Sequence, residues 1–227
     1  MPLLGTGVPA IWNGVAPGYD AEFLEWHVKE HIPERVGVPG FLRARRYFAV
    51  DGTPAYFNFY ETETYQVLSS EPYLARLNDP TPWTRKVVSN FQDTSRTICD
   101  VAQRRGEASA PGSRPSSCRP QSIPPSSPAG WRADCWPRSP SSAACSAVHL
   151  LRGVPEANKA DTAEKAMRGV RDKEAAWILL VETVAAQAAL DLRGDLTGDA
   201  SLAQAGVTGK PVRGLYQLDF ALARTDL

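Results

Sequence analysis

The sequence predicts an α+β fold: a ferredoxin-like βαββαβ unit followed by an incomplete second copy, the two packing as a pseudo-dimeric α/β barrel. Three observations predict it. Residues 8 to 101 read as strand, helix, strand, strand, helix, strand, the order of the split-βαβ unit. Stretches after residue 146 repeat parts of that pattern. One unit places both helices on one sheet face and leaves the other bare, so two units are expected to pack sheet to sheet.

The elements follow in order. Val8 to Val15 is a short apolar run closed by Asn13-Gly14 and Pro17-Gly18, a first strand. Asp20 suits a helix N-cap. From there Phe23, Trp26, His27, Glu30 and His31 share one face at helical spacing. Pro33 disfavours helical geometry at Ile32, so the helix is expected to end or kink there. Val38-Pro39-Gly40 turns the chain into a second strand, Phe41 to Val50. Asp51-Gly52 marks a tight hairpin leading to the aromatic third strand, Ala55 to Glu61. Gln66 to Leu77 reads as a second helix whose start Ser69, Ser70 and Pro72 weaken. Trp83 to Asn90 is short and helical or irregular, and Phe91 to Val101 is a fourth strand.

The second copy is recognised by its own strands. Ala55 to Glu61 (AYFNFYE) and Ala176 to Glu182 (AWILLVE) share Ala, an aromatic, an apolar run and Glu. Phe91-Gln92 and Tyr216-Gln217 open corresponding strands at a nearly equal offset, and Ser146 to Arg152 takes the place of the strand beginning at Phe41. Three regions result: 1–103, a ferredoxin-like barrel half; 104–145, a Pro/Ser/Arg-rich irregular segment; and 146–227, the incomplete second half. Residues 104–145 hold eight Pro, ten Ser and six Arg but no Leu, Val, Phe or Tyr. Such a composition argues for a disordered linker or for a stretch read out of frame, and against helix or ladder. If it replaces a strand and a helix, the apolar faces of residues 177–180 are left exposed and self-association is expected.

Composition excludes several classes. The chain has 227 residues, 43% hydrophobic, with Lys plus Arg equal to Asp plus Glu at 25 each. Zero net charge supports neither nucleic-acid nor membrane binding. No apolar stretch is long enough for a membrane span, and the N-terminal residues lack the pattern of a signal peptide. The four cysteines form no CxxC pair, so a reduced, cytoplasmic protein is expected. Neither a Gly-rich phosphate loop after a strand nor a GxSxG is present. Cys99 reads as a core thiol.

His27 and His31 are the candidate catalytic pair. One turn apart on one helical face, both rings can reach a common site, and imidazole suits acid–base work near neutral pH. Glu30 and Glu34 are near enough in sequence to orient them. No third ligand stands at a supporting spacing, so no metal is expected. Either ring could instead be a satisfied core residue. Tyr56, Asn58 and Tyr60 share one strand face, and Arg43, Arg45 and Tyr47 share another. With apolar neighbours these form a small-ligand pocket, substrate-binding through Tyr56, Asn58, Tyr60 and Arg45, or a solvated face with Arg stems over aromatics. The Asp161–Lys173 region reads as a solvated helix or loop.

Phe23, Trp26, His31 and Pro33, followed by Gly40-Phe41 and a strand, resemble the aromatic-x-x-W…H-x-P signature of EthD-like members of the dimeric α/β-barrel superfamily. The resemblance covers residues 8 to 101 and, more weakly, 146 to 223. Known members of that family include accessory proteins of aromatic-ring catabolism, polyketide cyclases, lactone isomerases, decarboxylases and cofactor-free monooxygenases. The resemblance implies acid–base work at His31 alone, since His27 lies outside the signature. It implies a cofactor-independent enzyme acting on a small aromatic or polyketide-like metabolite by an isomerase, cyclase or lyase-type proton transfer. The alternatives are a non-catalytic accessory or binding protein and a frame-damaged product without activity.

Overall fold

The computed structural model describes residues 3–106, 117–123, 145–168 and 172–227. Alternation along the strands sorts side chains into two sets, one for each face of a single sheet. The first half supplies β1 (Gly7–Val15), β2 (Phe41–Asp51), β3 (Tyr56–Thr62) and β4 (Phe91–Gly106). The second supplies β5 (Ser117–Ile123), β6 (Cys145–Gly153), β7 (Trp177–Thr183), the short β8 (Val212–Arg213) and β9 (Leu215–Ala223). Strand order is β4-β1-β3-β2 in the first half and β9-β5-β7-β6 in the second, so equivalent strands hold equivalent places. Antiparallel pairs β2–β9 and β4–β6 join the halves and close the sheet into a barrel. The AYFNFYE and AWILLVE repeats are β3 and β7.

Two expectations are overturned here. Residues 104 to 145 are not irregular throughout: β4 runs on to Gly106, and Ser117–Ile123 forms β5. β5 pairs residue by residue with β7, from Ser117↔Thr183 to Ile123↔Trp177. The reason is that an open strand offers a full row of backbone donors and acceptors, and pairing them does not require aliphatic side chains. On its other side β5 meets β9 at one pair, Cys118↔Tyr216. The remainder of the segment lies outside the described residues. The exposed apolar face expected on β7 is also absent. Ile178 and Leu180 point into the barrel, Leu179 packs outward under helices, and all three are buried.

The helices lie outside the barrel. In the first half, α1 (Asp20–Trp26), a π-helical turn (His27–His31) and α2 (Ile32–Val36) run on as one helix. Pro33 therefore does not end it. The Ile32 amide bonds back to the His27 carbonyl, an i−5 step, and Pro33 follows at the start of α2, where a missing donor is tolerated. Asp20 is the first residue of α1 rather than its cap; its carboxylate accepts a 2.6 Å hydrogen bond from the Tyr56 hydroxyl. Gly40, with φ +88°, turns the chain into β2, and a Cβ at this position would stand 2.6 Å from Val67 Cγ2, so no larger residue fits. A 3-10 turn (Tyr65–Ser69) precedes α3 (Glu71–Asn78), and α4 (Pro82–Val88) follows, capped by Thr81. In the second half, α5 (Ala163–Met167) lies between β6 and β7, while α6 (Ala186–Gly194) and α7 (Asp199–Gln204) cover the outer face.

Inside the barrel, Val8, Trp12, Phe57, Phe59, Cys99, Leu151, Ile178, Leu180 and Tyr216 form one apolar cluster drawn from both halves. Phe57 sits between Trp12 on β1 and Tyr47 on β2, with ring centroids 4.5 and 5.5 Å away and planes 17° and 28° apart. Phe57 has no exposed surface. We predict that Phe57→Ala lowers the urea-unfolding free energy by about 3–5 kcal/mol, the transfer loss plus an unfilled cavity. The neighbouring outward Phe48→Ala, at a position 39% exposed, is expected to change it by about 0.5 kcal/mol or less.

Candidate functional site

The site lies outside the barrel of the first half, between the α1–α2 helix and the sheet. Its cavity measures about 60 Å³ and opens to solvent. Trp26, His31 and Arg35 come from the helix; Tyr60, Phe91 and Arg96 from the sheet; Tyr73 from α3. Asn158, Thr162, Glu164 and Arg168 come from the second half, which therefore completes the wall.

The histidines take different places. His27 is 2% exposed and its Nε2 lies 3.1 Å from the Tyr60 hydroxyl. His31 lines the cavity. Its ring stacks on His27 at 5.4 Å and lies against Trp26 at 4.4 Å between centroids. Both Nδ1 atoms are buried and make no hydrogen bond with the described residues. Burial holds both imidazoles well below their ordinary 6.5, with the Arg46 and Arg35 charges adding for His27, and the Arg35 charge adding for His31. Both rings are thus neutral at pH 7, and an unpartnered ring nitrogen can accept a proton or donate a hydrogen bond according to tautomer. Burial also raises the Tyr60 phenol, so it stays protonated beside His27.

Neither glutamate beside them orients a histidine. Glu30 Oε1 accepts from Trp26 Nε1 at 3.2 Å, Thr81 Oγ1 at 2.5 Å and Thr84 Oγ1 at 3.0 Å. It holds α4 against α1. Glu34 pairs with Arg76 at 3.4 Å.

Of the other sequence candidates, only Tyr60 joins His31 at the cavity. Tyr56 is tied to Asp20, and Asn58 donates to Asn13 Oδ1 at 2.8 Å; neither lines the cavity. Arg45 lies on the opposite sheet face, inside the barrel, because it alternates with Ala44 and Arg46. There it bridges Glu61 at 2.8 Å and Glu182 at 2.9 Å. The first-half strands thus present two polar faces to two different places.

The polar lining residues that escape the sequence reading include Arg35, Arg96, Asn158 and Glu164. Arg35 had a signal, since positions 27, 31 and 35 continue one helical face at steps of four. Glu164 had none. It lies in the Asp161–Lys173 region, expected to be solvated, yet it is 6% exposed and pairs with Arg35, 129 residues away. Asp172, also in that region, is buried and pairs with Arg168 at 2.7 Å. Among the described residues, no group of three or more His, Cys, Asp and Glu side chains is arranged to hold a metal ion. No helix of the described residues is long and apolar enough to cross a membrane.

No family model and no curated protein matches the chain. Solved structures do. An anthrone oxidase-like protein aligns over 97% of this chain and 94% of its own, with TM-score 0.60 and 16% identity. A provisionally named monooxygenase of Fusobacterium nucleatum aligns over 97% and 96%, with TM-score 0.56 and 9% identity. Another, of Lactobacillus acidophilus NCFM, aligns over 96% and 97%, with TM-score 0.52 and 6% identity. Such identities carry the fold and not the chemistry.

The histidine environment sets a pH dependence. As pH falls below 6.5, the unfolded chain takes up protons at positions 27 and 31 while the folded chain does not. The stability they contribute is present above 6.5 and is lost as pH falls toward the folded values. We predict that His27 and His31 titrate below 6.5 in proton–carbon NMR of the folded protein. We further predict that His27→Phe flattens the decline of unfolding free energy between about pH 6.5 and 5. A His31 resonance titrating at or above 6.5 contradicts the desolvated, neutral ring. The strand order and the structural neighbours agree on the architecture around these rings: the chain has the ferredoxin-like α/β-barrel fold, with both barrel halves in one polypeptide.

Proposed function

We propose that this chain is an enzyme of small-molecule metabolism whose cavity takes a small aromatic or polyketide-like molecule and whose His31 accepts a proton from it. The observation that carries the reading is the His31 ring: neutral, unpartnered at Nδ1 among the described residues, and set in a cavity walled by Trp26, Phe41, Tyr60, Tyr73 and Phe91. Flat aromatic walls favour a flat, apolar ligand. The enclosed space of about 60 Å³ is smaller than the roughly 150 Å³ that holds a benzene molecule. One edge of a fused-ring ligand would enter it while the rest lies in the open cleft.

The chemistry follows from the groups present. A carbon acid conjugated with an aromatic ketone gives its proton to His31. His27 and Tyr60, joined at 3.1 Å, hold the wall beside it and offer a phenolic hydroxyl to a developing oxyanion. Proton abstraction of this type opens an isomerase, cyclase or lyase-type step, and the EthD-like resemblance of Phe23, Trp26, His31 and Pro33 points the same way. The anthrone named for one structural neighbour is such a substrate class: a fused-ring ketone with an acidic carbon position.

The test uses anthrone as the probe. Exchange of its methylene protons in D2O, followed by NMR, is expected to run faster with the protein than in buffer alone. His31→Ala is expected to lower that acceleration about 100-fold or more, the ordinary contribution of a positioned general base, while His31→Ala retains anthrone binding. Equal exchange in wild type and His31→Ala removes His31 from the chemistry. Binding without acceleration in wild type is the signature of a non-catalytic accessory protein.

A further inference from the structure

The cavity holds a second polar feature besides His31. Arg35 is 3% exposed, lines the cavity and carries its charge on a helix face shared with His31. One end of its fork, Nη2, is held by Glu164. The other, Nη1, is buried and makes no hydrogen bond with the described residues. Glu34 Oε2 stands 3.6 Å from it, an ion-pair distance that is too long for a hydrogen bond, so the charge is partly balanced while the N–H groups lack an acceptor. A buried guanidinium N–H left without an acceptor is costly, and charged donors seek a charged partner.

Arg96 faces the same space from β4. Its fork is held by Asn158 and by the Tyr73 hydroxyl, the latter at 3.3 Å. The Arg35 guanidinium lies 5.9 Å from the centre of the same Tyr73 ring. Two arginines thus stand on one tyrosine, with His31 neutral beside them. Lys165 and Arg168 add positive charge at the cavity wall, while Glu164 is the one carboxylate among its described lining residues.

We infer that the ligand of this cavity carries an acidic oxygen, as carboxylate, phenolate or enolate, and that Arg35 Nη1 is its anchor, with Arg96 across Tyr73 as the second cation. The inference rests on the reading of the cavity as the ligand site. It narrows the substrate class from aromatic molecules in general to those that are anions or become anions when His31 takes a proton. Glu164 competes for the same guanidinium.

The test compares 2-naphthoate with its neutral counterpart 2-naphthamide by isothermal titration calorimetry on the full chain. Wild type is expected to prefer 2-naphthoate by about tenfold or more. Glu164→Gln is expected to tighten 2-naphthoate severalfold and leave 2-naphthamide unchanged, because the competing carboxylate is gone. Arg35→Met alone strands Glu164 in the interior and can unfold the chain. The double variant Arg35→Met/Glu164→Gln removes both charges together and is expected to cut the preference for 2-naphthoate severalfold, with only Arg96 left as a cation across Tyr73. Equal binding of the probes by wild type overturns the anion anchor while leaving the aromatic site standing. A preference undiminished in the double variant also overturns it, as does a Glu164→Gln chain whose 2-naphthoate affinity is unchanged. Failure of both probes to bind wild type overturns the inference together with the aromatic reading beneath it.

Discussion

Arg45 is the residue on which the two halves meet. It is 1% exposed inside the barrel and bridges Glu61 on β3, in its own half, to Glu182 on β7, in the other. Desolvating three charges is expensive, and it is repaid only when geometry and further hydrogen bonds are good. Both conditions hold. Arg43 grips Glu61 at 2.8 and 3.0 Å, the Leu4 amide donates to Glu61 at 2.8 Å, and the Arg45 guanidinium lies 4.9 Å over the Phe59 ring. Burial alone pushes both carboxyls up, but Arg45 and the hydrogen bonds outweigh it at each, so both stay ionised. His149 stands 3.7 Å from Glu182, at the place in β6 that Arg45 holds in β2. The lumen thus holds two acids at equivalent places, Glu61 and Glu182, with Arg45 bridging both and His149 at the position equivalent to Arg45.

Fixing the halves in this register has a consequence outside the barrel. In the first half, β2 turns directly into β3. In the second, the chain leaves β6 and crosses the first half before entering β7. Arg35 pairs with Glu164, Asn78 Oδ1 accepts from the Ala163 amide at 3.1 Å, and the Arg96 amide donates to the Lys173 carbonyl at 3.0 Å. The crossing supplies Asn158, Thr162 and Glu164 to the cavity wall. The two copies are therefore not equivalent: the second lends its excursion to the first, and the cavity of the first is incomplete without it.

Much of this was legible. Strand alternation and the AYFNFYE–AWILLVE repeat located β3 and β7, and with them the barrel, because period two and a buried face constrain sequence strongly. The helical face of Phe23, Trp26, His27 and His31 located one wall of the cavity. Four features stayed hidden, each for a physical reason. β5 is set by backbone pairing to β7 rather than by side-chain pattern, so its Pro- and Ser-containing sequence concealed it. Pro33 reads as a helix stop, but the π turn at 27–31 changes the hydrogen-bond register just before it. The role of Glu164 depends on a contact across 129 positions, and no local pattern encodes such a pairing. Which sheet face Arg45 occupies could be read from alternation, but not that its face looked inward while that of Tyr60 looked out.

The most direct measurement of this account is a double-mutant cycle on Arg45 and Glu182, using Arg45→Met, Glu182→Gln and the pair, with unfolding free energies from urea titration. If the buried bridge joins the halves into one barrel, the two changes are coupled by about 1–3 kcal/mol and every variant unfolds in one transition. Additivity within about 0.5 kcal/mol, or separate transitions for the two halves, would contradict it.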